Sequence, residues 1–216
     1  VFADWENPYL TLDSKYEGTI VKVFGQLVKA GYIYRQKKPV YWCPSCETAL
    51  ADAEVEYADH TSHSIYVKFE IEKLPKNISF SLEDKPSVLI WTTTPWTLPA
   101  NVALAFMGEA DYVLVKIELD AGRKEYLVLS QKLLPLVTEK IGAKKYEILN
   151  KFTGKDLEGI ICKNPLLERE SKGILADFVS LEDGTGVVHI APGHGQDDYI
   201  VGLKYKLPII SPLDDK

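Results

Sequence analysis

The chain has 216 residues, 46% hydrophobic and 26% charged, with 12 Pro and 14 Gly, a composition that supports a sizeable core and excludes disordered and fibrous classes. No apolar run approaches the roughly 20 residues of a membrane span, VFADWENPYL lacks a signal-peptide layout, and three cysteines are too few for a disulfide framework, so a cytoplasmic, reducing setting is expected. The net charge of −6 argues against a broad nucleic-acid coat, which needs many neutralised phosphates, but leaves room for a grip on one end of an RNA.

In chain order, Ser14-Lys15-Tyr16-Glu17 matches a capping box, a hydroxyl followed three residues later by a carboxylate. Tyr16, Ile20, Val23, Phe24, Leu27 and Val28 recur at helical spacing and Gly31 supplies a stop, which predicts an amphipathic helix over Lys15 to Ala30. KKPVYWCPSCETALADAEVEY then reads as a short strand, a tight Cys-Pro-Ser-Cys turn and an extended or helical exit. With His60 and His63, Cys43 and Cys46 give C-x2-C-x13-H-x2-H, one residue short of the usual zinc-finger histidine spacing, so a metal-free knuckle is favoured and no metal is assigned. Residues 1–61 therefore read as a connecting segment and 62–216 as a separate domain.

From residue 62 the pattern turns to strands. Ser64 to Ile71 alternates strictly, with Ile65, Val67, Phe69 and Ile71 on one face. Ser87 to Thr94, Tyr112 to Leu119, Lys124 to Leu129, Tyr146 to Phe152 and Val187 to Ile190 are further strands, with Leu119 to Arg123 as a hairpin loop. Ser130 to Ile141 reads as a helix that Pro135 splits or shortens, and Gln196 to Tyr205 as a final helix. Many strands with few helices predict an α+β domain on a curled, barrel-like mixed sheet. The basic clusters at Arg35, Lys37 and Lys38 and at Lys144 and Lys145 read as solvated faces. The single methionine, Met107, is internal and the chain starts at Val1, so a piece of a longer protein is expected.

Nucleophile-elbow, HExxH and phosphate-loop motifs are absent from the sequence, and Gly184-Thr185-Gly186 lacks the third glycine and following helix of a dinucleotide fingerprint. Two segments carry chemistry instead. Residues 89–101, LIWTTTPWTLPAN, end a strand in three threonines; alternation sends Thr92 and Thr94 to one face and Thr93 to the other, and hydroxyls both donate and accept. Residues 184–199, GTGVVHIAPGHGQDDY, deliver His189 from a short strand and then enter the acidic start of a helix. Taken singly, each segment has a plainer explanation: strand propensity for the threonines, a satisfied core position for His189, dipole complementarity for Asp197 and Asp198.

Together, WTTTPWTLPAN and GxGxVHxAPGHGxDDY resemble the editing domain of bacterial-type isoleucyl-tRNA synthetases, an insertion in the catalytic domain, and GYIYRQKKPVYWCPSCETALADAEVEY looks like its lead-out from the catalytic core. Valyl and leucyl relatives carry an arginine in the threonine segment, where this chain has Pro95 and Trp96. HIGH and KMSKS are absent from the sequence, so the fragment is not expected to activate amino acids. The resemblance implies hydrolysis of valine misattached to isoleucine tRNA. A buried methylene discriminates by only about 1–3 kcal/mol, and isoleucine against valine is itself the standard case from which that magnitude is taken, so a second, smaller pocket is needed.

By the same resemblance, Asp198 would hold the α-ammonium by a charge-assisted bond, with Asp197 pointing elsewhere. His189 would wall off isoleucine's extra methylene. Thr92, Thr93 and Thr94 would hold the ester and terminal adenosine, Asn101 would add a polar contact, and Trp91 would contribute to the pocket. No nucleophile–base pair is evident, so direct attack by water is expected, without a cofactor; His189 or, more weakly, His194 is the candidate base. The expected partners are the 3′ end of isoleucine tRNA and the rest of the parent synthetase, with a monomeric chain. The rivals are a valyl-type editor removing threonine and a non-catalytic zinc-dependent RNA-binding module centred on Cys43 and Cys46.

Overall fold

The computed structural model describes residues 2–80 and 85–213. The chain divides into two compact units, Val1–Lys37 and Lys38–Lys216.

The first unit is built on helix α1 (Ser14–Lys29). Its cap is Asp13, one residue before the expected Ser14: the Asp13 carboxylate accepts from Lys15 N at 2.8 Å while Ser14 is already helical. A carboxylate serves this position as well as a hydroxyl and also complements the helix dipole. At the other end Gly31 takes φ +80°, and Gly31 N and Tyr32 N donate to Val28 O and Leu27 O at 3.0 and 3.1 Å. That is the left-handed cap predicted from Gly31.

The second unit begins with a small hairpin, β1 (Tyr41–Cys43) and β2 (Thr48–Leu50), antiparallel across the Cys-Pro-Ser-Cys turn. Cys46 N donates to Cys43 Sγ at 3.4 Å. Among the described residues no three His, Cys, Asp or Glu side chains gather as a metal ion would require, so His60 and His63 do not complete the cysteine pair.

The body is one nine-stranded mixed sheet of β3 (Ile65–Lys73), β4 (Ser87–Thr92), β5 (Ala103–Phe106), β6 (Asp111–Glu118), β7 (Lys124–Ser130), β8 (Lys145–Thr153), β9 (Ile161–Lys163), β10 (Glu170–Leu175) and β11 (Val187–Ile190). Their spatial order is β11-β5-β10-β9-β3-β4-β7-β6-β8. β4 with β7 and β10 with β5 are parallel; the other pairs are antiparallel. The sheet curls without closing: β11 and β8 are its edges, so the barrel-like α+β expectation holds as an open form.

Both faces of the sheet are covered. Helix α2 (Leu134–Lys140) packs Leu134 and Val137 over Leu89, Val113 and Leu127, and helix α3 (Gln196–Tyr205) packs Val201 over Ala103, Ala105 and Ile190. The main core lies on Phe69, Ile90, Leu104, Phe106 and Leu114. Coverage on two sides explains the unbroken apolar runs of β4, β5 and β6. α2 starts later than the predicted Ser130, because Ser130 stays in β7, where its N–H donates to Thr185 O at 2.9 Å. Pro135 falls in the first turn of α2, where its missing N–H costs nothing.

Candidate active site

β4 is a buried central strand, paired with β3 on one side and β7 on the other. It ends at Thr92 because Pro95 follows closely and pushes Thr94 out of helical backbone, to φ −124°, ψ 63°. Pro95 then starts a short 3-10 turn, Pro95–Ala100, which Pro99 prevents from growing into an α-helix. At this corner Thr92 is buried and Thr93 exposed. The Thr92 hydroxyl accepts from Thr94 N at 3.1 Å and lies 3.3 Å from the Thr94 hydroxyl.

Across from this corner stands β11, paired antiparallel with the buried β5, His189 opposite Leu104. Alternation puts Val187 and His189 on one face and sends Ile190 to the packing under α3. The chain then turns through Ala191 to Gly195, with His194 N and Gly195 N donating to Ala191 O at 2.9 and 3.3 Å, and enters α3. Asp198, in the first turn of α3, reaches back so that its Oδ2 accepts from Ala191 N at 2.8 Å. Asp197, next to it, is exposed.

The two segments line one cleft of about 560 Å³, together with Trp91, Trp96, Thr97, Asp183 and the Gly184–Gly186 turn. That volume suits a small-molecule-sized group and exceeds one valine side chain. Thr92, Thr93, Thr94, His189, His194 and Asp198 all reach the cleft wall; Asn101 does not. Asn101 is fully buried, its Nδ2 donates to Ala103 O at 2.8 Å, and its Oδ1 accepts from the Ser171 hydroxyl. Its polar atoms are already engaged inside the protein.

Burial sets the electrostatics. His189 is only 7% exposed, and burial first, then the neighbouring His194, push its pKa down to about 4, so the ring is neutral near pH 7. Its Nε2 lies 3.1 Å from the Thr97 hydroxyl, and that hydroxyl gives its single proton to Thr94 O at 2.8 Å. The hydroxyl must therefore accept from the ring, which puts the imidazole hydrogen on Nε2 and leaves a lone pair on Nδ1. Nδ1 is buried and unpartnered among the described residues, as is His194 Nε2. Burial lowers the His194 pKa as well. The Asp198 carboxyl is pushed above the usual range by burial, partly offset by the Ala191 N–H and reinforced by Asp197. A buried carboxylate of this kind is stabilised by an arriving cation.

Sequence reasoning did not single out Thr97 or Asp183. Thr97 stands three residues beyond the threonine run, on a turn whose geometry only the flanking prolines hint at.

Two crystal structures share this fold. One is the cytosolic leucyl-tRNA synthetase editing domain of P. knowlesi (TM-score 0.55, 16% identity, 66% of this chain and 62% of that one). The other is the corresponding P. falciparum domain (TM-score 0.50, 18% identity, 59% and 49%). The architecture is thus that of a synthetase editing domain. The family model for class I tRNA synthetases (I, L, M and V) matches residues 1–197, and the chain belongs to that family. Similar proteins include the isoleucine–tRNA ligases of Moorella thermoacetica (51% identical over 217 residues) and Fervidobacterium pennivorans (52% over 218). Each match covers 100% of this chain and 22% of the relative, so the chain spans about a fifth of the length of these curated relatives.

Proposed function

We propose that this cleft edits isoleucine tRNA, hydrolysing valine esterified to the 3′-terminal adenosine and leaving the isoleucyl ester intact. The observation that carries the reading is the meeting of the threonine corner, Thr92 to Thr94, with His189 and Asp198 around one cleft. Similarity along the whole of this chain to isoleucine–tRNA ligases, at 51% and 52% identity, supports the choice of tRNA.

The chemistry follows from the groups present. Asp198, oriented by the Ala191 N–H, receives the α-ammonium; the ammonium in turn favours the ionised carboxylate that burial opposes. His189, neutral and held by Thr97, forms a wall of fixed position and limits side-chain size. The hydroxyls of Thr92, Thr93 and Thr94 hold the ester end and the ribose, with room in the cleft for the adenosine. Water attacks the ester carbonyl, the tetrahedral adduct collapses, and free valine leaves the ribose hydroxyl. Positioning and polarisation supply most of the acceleration. In this reading the chain works as a monomer, in the cytoplasm, needs no cofactor, and does not activate amino acids; the rest of the parent synthetase supplies most of the tRNA grip.

The test is deacylation of valyl-, isoleucyl- and threonyl-tRNA by the chain and two variants. The valyl ester should be cleaved and the isoleucyl ester spared. Asp198→Ala should abolish cleavage with the fold intact, and His189→Ala should admit the isoleucyl ester. Preference for the threonyl ester would mark a valyl-type editor instead, and parent-like behaviour of both variants would sink the site assignment.

A further inference from the structure

The turn that carries Trp96 and Thr97 is gripped from behind. The loop between β9 and β10 is itself tightly folded: Asn164 N donates to Arg169 O at 2.9 Å, and Asn164 Oδ1 accepts from Leu166 N and Leu167 N at 2.9 and 3.1 Å. From this loop Arg169 Nη1 reaches Pro99 O at 2.9 Å and Asn101 O at 3.1 Å, and Asn164 Nδ2 reaches Leu98 O at 3.4 Å. Asn101, locked by Ala103 O and Ser171, closes the far end of the turn. Arg169 is half-buried, and among the described residues it forms no ion pair with a carboxylate. Its charge is directed at main-chain oxygens. A 3-10 turn interrupted by proline leaves carbonyls without intrahelical partners, and one guanidinium nitrogen, Arg169 Nη1, donates both to Pro99 O and to Asn101 O at the end of the turn.

We propose that Arg169, with Asn164, is a positioning residue for the cleft: by clamping the Pro95–Ala100 turn it fixes Thr97, and through Thr97 the ring of His189 that limits substrate size. The connection is short. Arg169 holds Pro99 O, Asn164 holds Leu98 O, and Thr97, the next residue, holds His189 Nε2. None of the Arg169 contacts lies in the cleft itself, so its effect on substrates is indirect. The inference deepens the editing reading and rests on it for the substrate, but not for the geometry.

The decisive variant is Arg169→Met, which keeps the stem and removes the donors. Two readouts separate positioning from mere stability. The first is the His189 ring titration followed by NMR in the folded protein. In the unsubstituted chain it should fall at about 4; in Arg169→Met it should rise toward the ordinary histidine value as Thr97 withdraws and the ring gains solvent. The second is the preference for valyl over isoleucyl ester, which should drop about tenfold, since misplacements of about 1 Å cost up to about a hundredfold. An unchanged His189 titration in folded Arg169→Met overturns the proposal whatever the deacylation assay gives. Should Arg169→Met fail to fold, Arg169→Gln, whose shorter side chain falls short of these carbonyls, is judged by the same two criteria. A moved titration in the variant, together with an unsubstituted chain that cleaves neither ester at saturating tRNA, would support the clamp and refute the editing reading.

Discussion

At the scale of single residues, His189 shows how burial and one hydroxyl define a side chain's chemistry. A surface histidine titrates near pH 6.5; here burial and His194 bring the value to about 4. Because the folded pKa is depressed, the unfolded chain binds more protons between these values. The contribution is therefore complete above pH 6.5 and lost as pH falls toward 4, amounting to about 3 kcal/mol at most. Asp198 works the other way: its raised pKa means that the folded state holds a proton more tightly, so stability from this group falls as pH rises past 3.8. Replacing His189 by Gln should thus flatten the rise in unfolding free energy between pH 4 and 6.5, measured by urea titration at several pH values. An unchanged slope would mean that the ring is solvated.

At the scale of elements, the ends of α1 separate two readings of the same sequence. Ser14 and Glu17 spell a capping box, yet the accepting side chain is Asp13. Asp13→Ala should therefore cost about 1 kcal/mol of helix stability, whereas Ser14→Ala, at a position already helical where Ala is the better helix former, should cost nothing. Circular dichroism melts of the two variants would rank them, and the opposite ranking would restore Ser14 as the cap. The Gly184–Gly186 turn is an element of the same kind, decided by its neighbours. Gly186 takes φ +73°, and an added Cβ would come within 2.4 Å of Ser130 Cβ, so backbone conformation and strand packing both demand glycine there. This turn forms one wall of the cleft.

At the scale of the whole molecule, Tyr112 ties distant parts of the sheet together. It is fully buried in the main core, its hydroxyl accepts from Met107 N at 2.9 Å and donates to Gly186 O at 2.6 Å, and burial pushes its pKa up to about 12. Tyr112 and Gly186, 74 positions apart in the sequence, are thereby joined by one hydrogen bond. Tyr112→Phe keeps the ring's packing but takes the partner from the half-buried Met107 N–H and the buried Gly186 C=O, which should cost about 1–3 kcal/mol. Equilibrium unfolding in urea measures this, and a loss below experimental error would mean that the cleft wall relaxes freely.

Local pattern was enough to read α1, α3, the hairpin of β6 and β7, and the strict alternation of β3, because helix and strand periods are written residue by residue. It was also enough to pick out the threonine and histidine–aspartate segments as unusual. Three short strands, β5, β9 and β10, escaped: Ala103–Phe106 and Ile161–Lys163 are too brief for a period, and Glu170–Leu175 mixes charge with glycine. The contact of Thr97 with His189, 92 residues apart, and the burial of Asn101 against Ser171 were equally out of reach. The physical reason is common to all of these. Periodicity records which face of an element is apolar, whereas strand pairing and the satisfaction of buried polar atoms depend on partners far along the chain, and only the folded sheet chooses them.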